Sequence, residues 1–133
     1  MIVLDTSTAI RVINNDETHR MHYRAARDRG EEIVLSTVAL FELWYGVENS
    51  KRWEDNARIL RAFLESISLV PFDSDDARAA GELRATLAAK GTLIGPYDLL
   101  IAAHAITRGA TLVTANGREF AKVPGLNWED WSA

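Results

Sequence analysis

Apolar positions along this chain follow two alternating periods. Four short runs lack a polar interruption or are rich in β-branched and leucine residues: Ile2-Val3-Leu4, Ile33-Val34-Leu35-Ser36, Ser68-Leu69-Val70-Pro71-Phe72 and Thr111-Leu112-Val113-Thr114. Runs of this kind read as strands buried on both faces, the type found in parallel sheets. Between them apolar residues recur at helical spacing over Thr8 to Asn14, Arg20 to Arg29, Val38 to about Ser50, Trp53 to Ser66, and from the Asp73-Ser74-Asp75-Asp76 cluster to about Lys90. A further helix opens at Pro96, where Gly95 can serve as N-cap, and ends at Gly109. The segment Val123 to Trp128 can add an edge strand. Strands alternating with helices predict an α/β fold: a parallel β-sheet of four to five strands with helices on both faces, in three layers. With no repeats, low-complexity tracts or linkers, residues 1–133 read as a single domain.

Two helices depart from simple amphipathicity. Val38 to Ser50 is apolar nearly all round (Val38, Leu40, Phe41, Leu43, Trp44, Tyr45, Val47), so one core face cannot absorb it. One of two sets, Leu43, Trp44 and Val47 or Phe41 and Tyr45, is expected to line a groove that a second chain covers, with Trp44 as the residue to test; a homodimer interface is the alternative occupant. The helix after Pro96 is rich in Leu, Ile and Ala and carries His104, which reads as a satisfied structural histidine. Arg20, Arg24 and Arg27 read as a solvated face, and the acids after Asp73 as helix caps.

Composition narrows the chemistry. The absence of cysteine excludes disulfides and thiolate metal sites and fits a reducing cytoplasm. The N-terminus lacks a signal-peptide pattern, and no apolar stretch is long enough to cross a bilayer. A net charge of −4 argues against a nucleic-acid binder that works through overall charge, though not against a nuclease with a few arginines and a bound cation.

The candidate chemistry lies at strand ends. Asp5 follows the first strand, with Thr6 or Ser7 placed to cap the next helix; alone, Asp5 could be no more than a turn residue. Three other stretches deliver groups to the same carboxyl edge, where open α/β sheets bind their ligands. Glu42 lies inside an apolar helix, where an unpaired carboxylate is costly. Asp98 falls at the third position of its helix, where the free N–H groups and the dipole are expected to keep it ionised. Asn116 and Glu119 leave the fourth strand. Carboxylates this close repel, and a hard divalent cation relieves the repulsion; oxygen-only ligands suit Mg²⁺ or Mn²⁺. The reaction class that follows is hydrolysis of a phosphodiester.

Four stretches together resemble a known family: Leu4-Asp5-Thr6-Ser7, Ala39-Leu40-Phe41-Glu42-Leu43, Ile94-Gly95-Pro96-Tyr97-Asp98-Leu99-Leu100-Ile101-Ala102, and Leu112-Val113-Thr114-Ala115-Asn116-Gly117-Arg118-Glu119-Phe120. They look like the PIN domain, and more closely like VapC, the toxin of VapBC toxin–antitoxin modules. The resemblance covers essentially the whole chain. It implies a PIN-like three-layer fold and a Mg²⁺-dependent endoribonuclease in which Mn²⁺ can substitute. Asp5, Glu42 and Asp98 would be the acidic, metal-holding core, with Thr6, Asn116 and Glu119 beside them. It also implies a homodimer, neutralisation by a VapB-type antitoxin in a larger toxin–antitoxin assembly, and no membrane association. The Gly95-Pro96-Tyr97-Asp98 version resembles the branch that cuts the anticodon loop of initiator tRNA. Two positions depart from the family pattern: Ser7 stands where Asn is usual, and Asn116 where many PIN domains carry a fourth acid, a charge that Glu119 can supply. Three or four negative charges favour one tightly held ion over two.

Two rival readings stay in view. Asp5 could be a phosphoryl-accepting nucleophile, but enzymes of that kind need a second Asp two residues on, and position 7 is Ser. A PIN-like binding module without catalysis is the other.

Overall fold

The computed structural model describes residues 1–133. In chain order the elements are β1 (Ile2–Leu4), α1 (Thr6–Ile13), α2 (Glu17–Asp28), β2 (Ile33–Ser36), α3 (Thr37–Glu48), α4 (Trp53–Glu65), β3 (Ser68–Val70), α5 (Ser74–Ala89), α6 (Pro96–Thr107), β4 (Thr111–Val113), α7 (Gly117–Phe120) and β5 (Asn127–Glu129). All neighbouring strands run parallel, in the order β3-β2-β1-β4-β5. Helices cover both faces. The tail strand pairs with β4 and completes the predicted five.

This order puts β1 in the middle. The chain builds outward through β2 and β3 on one side, then returns to lay β4 and β5 on the other. The reversal opens a crevice at the carboxyl end of β1, the place where such sheets bind ligands. β1 and β2 are buried along their whole lengths, and Leu4 and Leu35 are fully enclosed. One continuous core of 31 buried apolar residues joins sheet and helices.

Two helix starts differ from the sequence reading by more than one residue, each because of a cap. α1 begins at Thr6 rather than Thr8, since Asp5 itself is the N-cap and neither Thr6 nor Ser7 fills that role. α2 begins at Glu17, ahead of the expected Arg20, because Asp16 accepts from the His19 N–H and nucleates an earlier turn. The Asp73 cluster does cap: Asp73 accepts from the Asp76 N–H while Asp76 accepts from the Asp73 N–H, a reciprocal capping box.

Behind the site lies a buried polar network. His104 Nδ1 stands 2.9 Å from Ser36 Oγ, and Nε2 stands 3.5 Å from Asp76 Oδ2. Thr107 donates to Asp76 Oδ1, and Arg108 donates to Asp76 Oδ2 at 3.0 Å. Ser36, His104 and Asp76 resemble a nucleophilic triad, yet each is about 1% exposed and no substrate reaches them. Ser36 Oγ instead accepts from the Val38 N–H and caps α3. The network therefore ties the start of α3, which carries Glu42, to α6, which carries Asp98. His104 is structural, as its apolar surroundings suggested, and burial holds its imidazole below the ordinary range against the pull of Asp76.

Candidate active site

Each carboxylate reaches the sheet edge by its own local route. Asp5 is 4% exposed: its N–H donates to the Val113 carbonyl, locking it to β4, and its Oδ1 accepts from the Thr8 N–H at 2.8 Å. The cap reading and the site reading of Asp5 are thus compatible, since one oxygen serves the cap. Glu42 sits one turn into α3, half-buried, and its Oε1 accepts from Thr6 Oγ1 at 2.6 Å. That bond fixes Glu42 against the first residue of α1. Asp98 stands at the third position of α6 behind the predicted Gly95-Pro96 start. Gly95 stands against this carboxylate: a Cβ there would touch Asp98 Oδ2 at 3.5 Å, an ordinary contact. Glu119 comes from α7, with Oε2 shut off from solvent and without a hydrogen bond, and Lys122 Nζ 3.8 Å away.

The electrostatics bind these four into one site. Burial, then the charges of Asp5, Glu42 and Glu119, push the Asp98 carboxyl up to about 6. The sequence suggested the opposite direction, on the strength of the helix dipole. The dipole is outweighed because no hydrogen bond compensates the Asp98 carboxylate while three like charges face it.

Asn116 follows β4 and precedes α7, three residues ahead of Glu119. It is exposed at the start of α7, its side chain caps nothing, and it borders a cavity with Ser7, Thr8, Arg11, His19 and Ala115. Thr6 lines a second cleft with Phe41, Glu42, Tyr45 and Tyr97, whose aromatic rings stand open to solvent. Two polar residues escaped the sequence reading: Asp16 and His19, just ahead of the helix expected from Arg20. The Asp-x-x-His spacing of Asp16 and His19 was the available signal.

The expected groove exists, with different walls. Ile10 and Ile13 of α1, Leu43 and Val47 of α3, and Ile59 and Leu60 of α4 enclose about 240 Å³, and Glu42 stands at its edge. Trp44 is not among them. It is half-buried under the Arg61 guanidinium, 5.5 Å from the ring centroid, so of the expected Leu43, Trp44 and Val47 set only Leu43 and Val47 line the groove. The other set, Phe41 and Tyr45, faces solvent, with Tyr97 packed edge-on to Phe41 at 5.4 Å.

The donor set suits a hard cation: all oxygen, with mutual repulsion recorded in Asp98. No group of three or more His, Asp or Glu side chains is placed so that together they could hold a metal ion.

A central parallel strand ending in a buried aspartate, with acids from three helices around it, defines a PIN-type domain. The PIN domain family model matches residues 2–126, and the chain belongs to that family. Within it the chain falls among the VapC proteins. It is 40% identical over 130 residues to the tRNA(fMet)-specific endonuclease VapC of Salmonella typhimurium, covering 97% of this chain and 96% of that protein. Among solved structures it is similar to VapBC2 from Rickettsia felis bound to a promoter DNA fragment, with a TM-score of 0.94 and 38% identity over 99% of this chain and 100% of that one. DNA-bound VapBC from Salmonella typhimurium gives a TM-score of 0.91 at 39% identity over 98% and 97% of the two chains. No helix is long and apolar enough to cross a membrane.

Proposed function

We propose that this chain is a divalent-metal-dependent endoribonuclease of the VapC type, a single PIN domain over residues 1–133, that hydrolyses RNA phosphodiesters. The observation that carries the reading is the mutual charging of Asp5, Glu42, Asp98 and Glu119 at the carboxyl edge of β1. Asp5, Asp98 and Glu42 are the residues to hold Mg²⁺, or Mn²⁺ in its place. The ion supplies charge neutralisation and Lewis acidity at a phosphoryl oxygen. The chain's own groups do the rest. Thr6 holds Glu42 in place through its donated hydrogen bond. The α1 cap fixes Asp5, and Glu119 adds the fourth charge that Asn116 lacks. The substrate proposed is tRNA, with the anticodon loop of initiator tRNA first, on the strength of the Salmonella relative's name and the Gly95-Pro96-Tyr97-Asp98 start.

The partner proposed is a VapB-type antitoxin, within an assembly built on a toxin homodimer. The groove between α1, α3 and α4 takes the apolar face of an antitoxin helix, and its Glu42 edge brings a basic partner side chain to the acids. The test is cleavage of total RNA by purified protein with Mg²⁺, with EDTA, and with the Asp98→Asn variant, followed by sequencing of the new 5′ ends. Cuts that persist in EDTA or in the variant refute the site.

A further inference from the structure

His19 is 4% exposed, and its ring is committed on one side only. Nδ1 lies 2.8 Å from Asp16 Oδ1, which also accepts from the His19 N–H at 3.1 Å. Those bonds, the backbone one first, hold the Asp16 carboxyl below the usual range, so it is an acceptor and Nδ1 carries the proton. In the tautomer with its hydrogen on Nδ1, Nε2 is the ring's acceptor. Nε2 is cut off from water and has no partner in the chain. A buried polar atom left unpaired is costly and calls for an explanation.

The explanation lies in what His19 borders. With Ser7, Thr8, Arg11, Ala115 and Asn116 it lines a cavity of about 340 Å³ at the carboxyl edge of the sheet. Ser7 follows Thr6, the residue bonded to Glu42, and Thr8 donates its N–H to Asp5, so the cavity abuts the carboxylate cluster. The Arg11 side chain is 65% exposed and only loosely paired, at 4.0 Å from Asp16. The Thr8 hydroxyl is already spent on the Val113 carbonyl, while the Asn116 side chain makes no cap bond. The cavity thus offers one cation, one amide, the Ser7 hydroxyl and one buried acceptor. A lone anion has no use for the acceptor, and a deoxyribose cannot supply its hydrogen.

We propose that this cavity is a ribonucleotide subsite beside the cut, in which His19 Nε2 accepts the hydrogen of a 2′-hydroxyl and Arg11 pairs with the adjoining phosphate. The proposal rests on the ribonuclease reading above and extends it: the same acids would cut any phosphodiester, and this subsite selects RNA, since the 2′-hydroxyl is what distinguishes RNA from DNA.

The experiment uses the full chain in an Asp98→Asn background, so that binding is read without cleavage. The probe is a single-stranded RNA oligonucleotide spanning the mapped cut, in a series carrying one 2′-deoxy position at a time. For the parent, a single position is expected to weaken binding about tenfold, the scale of one lost hydrogen bond. His19→Leu should bind the all-ribose strand about as weakly as the parent binds that deoxy strand, and should ignore the deoxy substitution. Arg11→Gln, at an exposed position that leaves the fold intact, should lower the slope of log affinity against log salt by about 0.7, one phosphate on a single strand. If His19→Leu does not fold, the Arg11 slope and the parent's deoxy scan decide. Unchanged slope, or equal deoxy sensitivity in His19→Leu and parent, overturns the subsite while leaving the ribonuclease reading intact. Variants that bind RNA normally but lose a VapB-type antitoxin also overturn it, because the cavity then serves a protein partner. A parent chain that neither binds nor cuts RNA overturns both readings together.

Discussion

Replacing Asp98 with Asn should make this protein more stable at neutral pH in the absence of metal, while abolishing cleavage. Asn is nearly isosteric and keeps the third position of α6 occupied. In the folded chain the Asp98 carboxyl is pushed from 3.8 to about 6, by burial first and then by Asp5, Glu42 and Glu119. A raised carboxyl pKa means that the folded state prefers the protonated form. The stability tied to that preference is complete below about 3.8 and is lost as pH rises through about 6. Above that the folded state carries the full cost of the charge. A shift of roughly two pH units corresponds to about 3 kcal/mol as an upper limit. Partial exposure and solvent screening reduce this to about 1.5 kcal/mol. Losing a negative charge from the first turn of α6 gives back about 0.5 kcal/mol. The net expectation is a gain of about 1 kcal/mol for Asp98→Asn at pH 7.5 in EDTA, vanishing near pH 4. Urea unfolding of both proteins at the two pH values measures it. Adding Mg²⁺ should reverse the ranking, because the ion stabilises only the chain that binds it. An Asn variant that is less stable than the parent in EDTA at pH 7.5 refutes a mutually repelling cluster.

Activity in the cleavage assay should disappear with EDTA and return with Mn²⁺. Thr6→Val keeps its shape but removes the donor to Glu42, and should cost about tenfold or more in kcat with little change in Tm, a loss typical of ligand-orienting groups. Ile59→Glu at the open wall of the groove should weaken antitoxin binding more than tenfold in a titration, and Trp44→Ala, away from the groove, should not. Gly117→Ala would place a Cβ against the Trp128 ring and should lower stability by about 1 kcal/mol in thermal melts, since the exposed ring must shift to admit it.

The parts of this fold legible in the sequence are those set by short-range pattern. Ile2–Leu4 and Ile33–Ser36 form strands because uninterrupted apolar runs have no exposed face to offer, and Gly95-Pro96 fixes the start of α6 to the residue. Cap ownership was less legible. Asp5, Thr6 and Ser7 are all good caps, and only the pairing of Asp5 with β4 decides among them. Which face of α3 stays open was not legible at all. Periodicity shows that Leu43/Val47 and Phe41/Tyr45 point different ways, but the packing of Arg61 over Trp44 depends on how α4 folds back against α3, which no local signal carries.

The sign of the Asp98 shift shows why the site needs the tertiary structure. Asp76 and Asp98 are both drawn from helix starts, where the dipole favours negative charge. Burial works to raise both. At Asp76 the Thr107 hydroxyl, the Asp73 N–H and the charges of His104 and Arg108 overcome it, and the carboxyl ends below its usual range. At Asp98 nothing donates, three acids add to the burial, and the carboxyl ends near 6. The two differ in partners, not in local sequence. Asp76 is a charge the fold has already answered, which makes it structural. Asp98 is a charge the fold leaves unanswered, held against its neighbours by α6 and by the Ser36–His104–Asp76 brace behind it. A protein keeps such a carboxylate when something outside the chain completes it. A divalent cation beside a phosphate is what the all-oxygen surroundings fit.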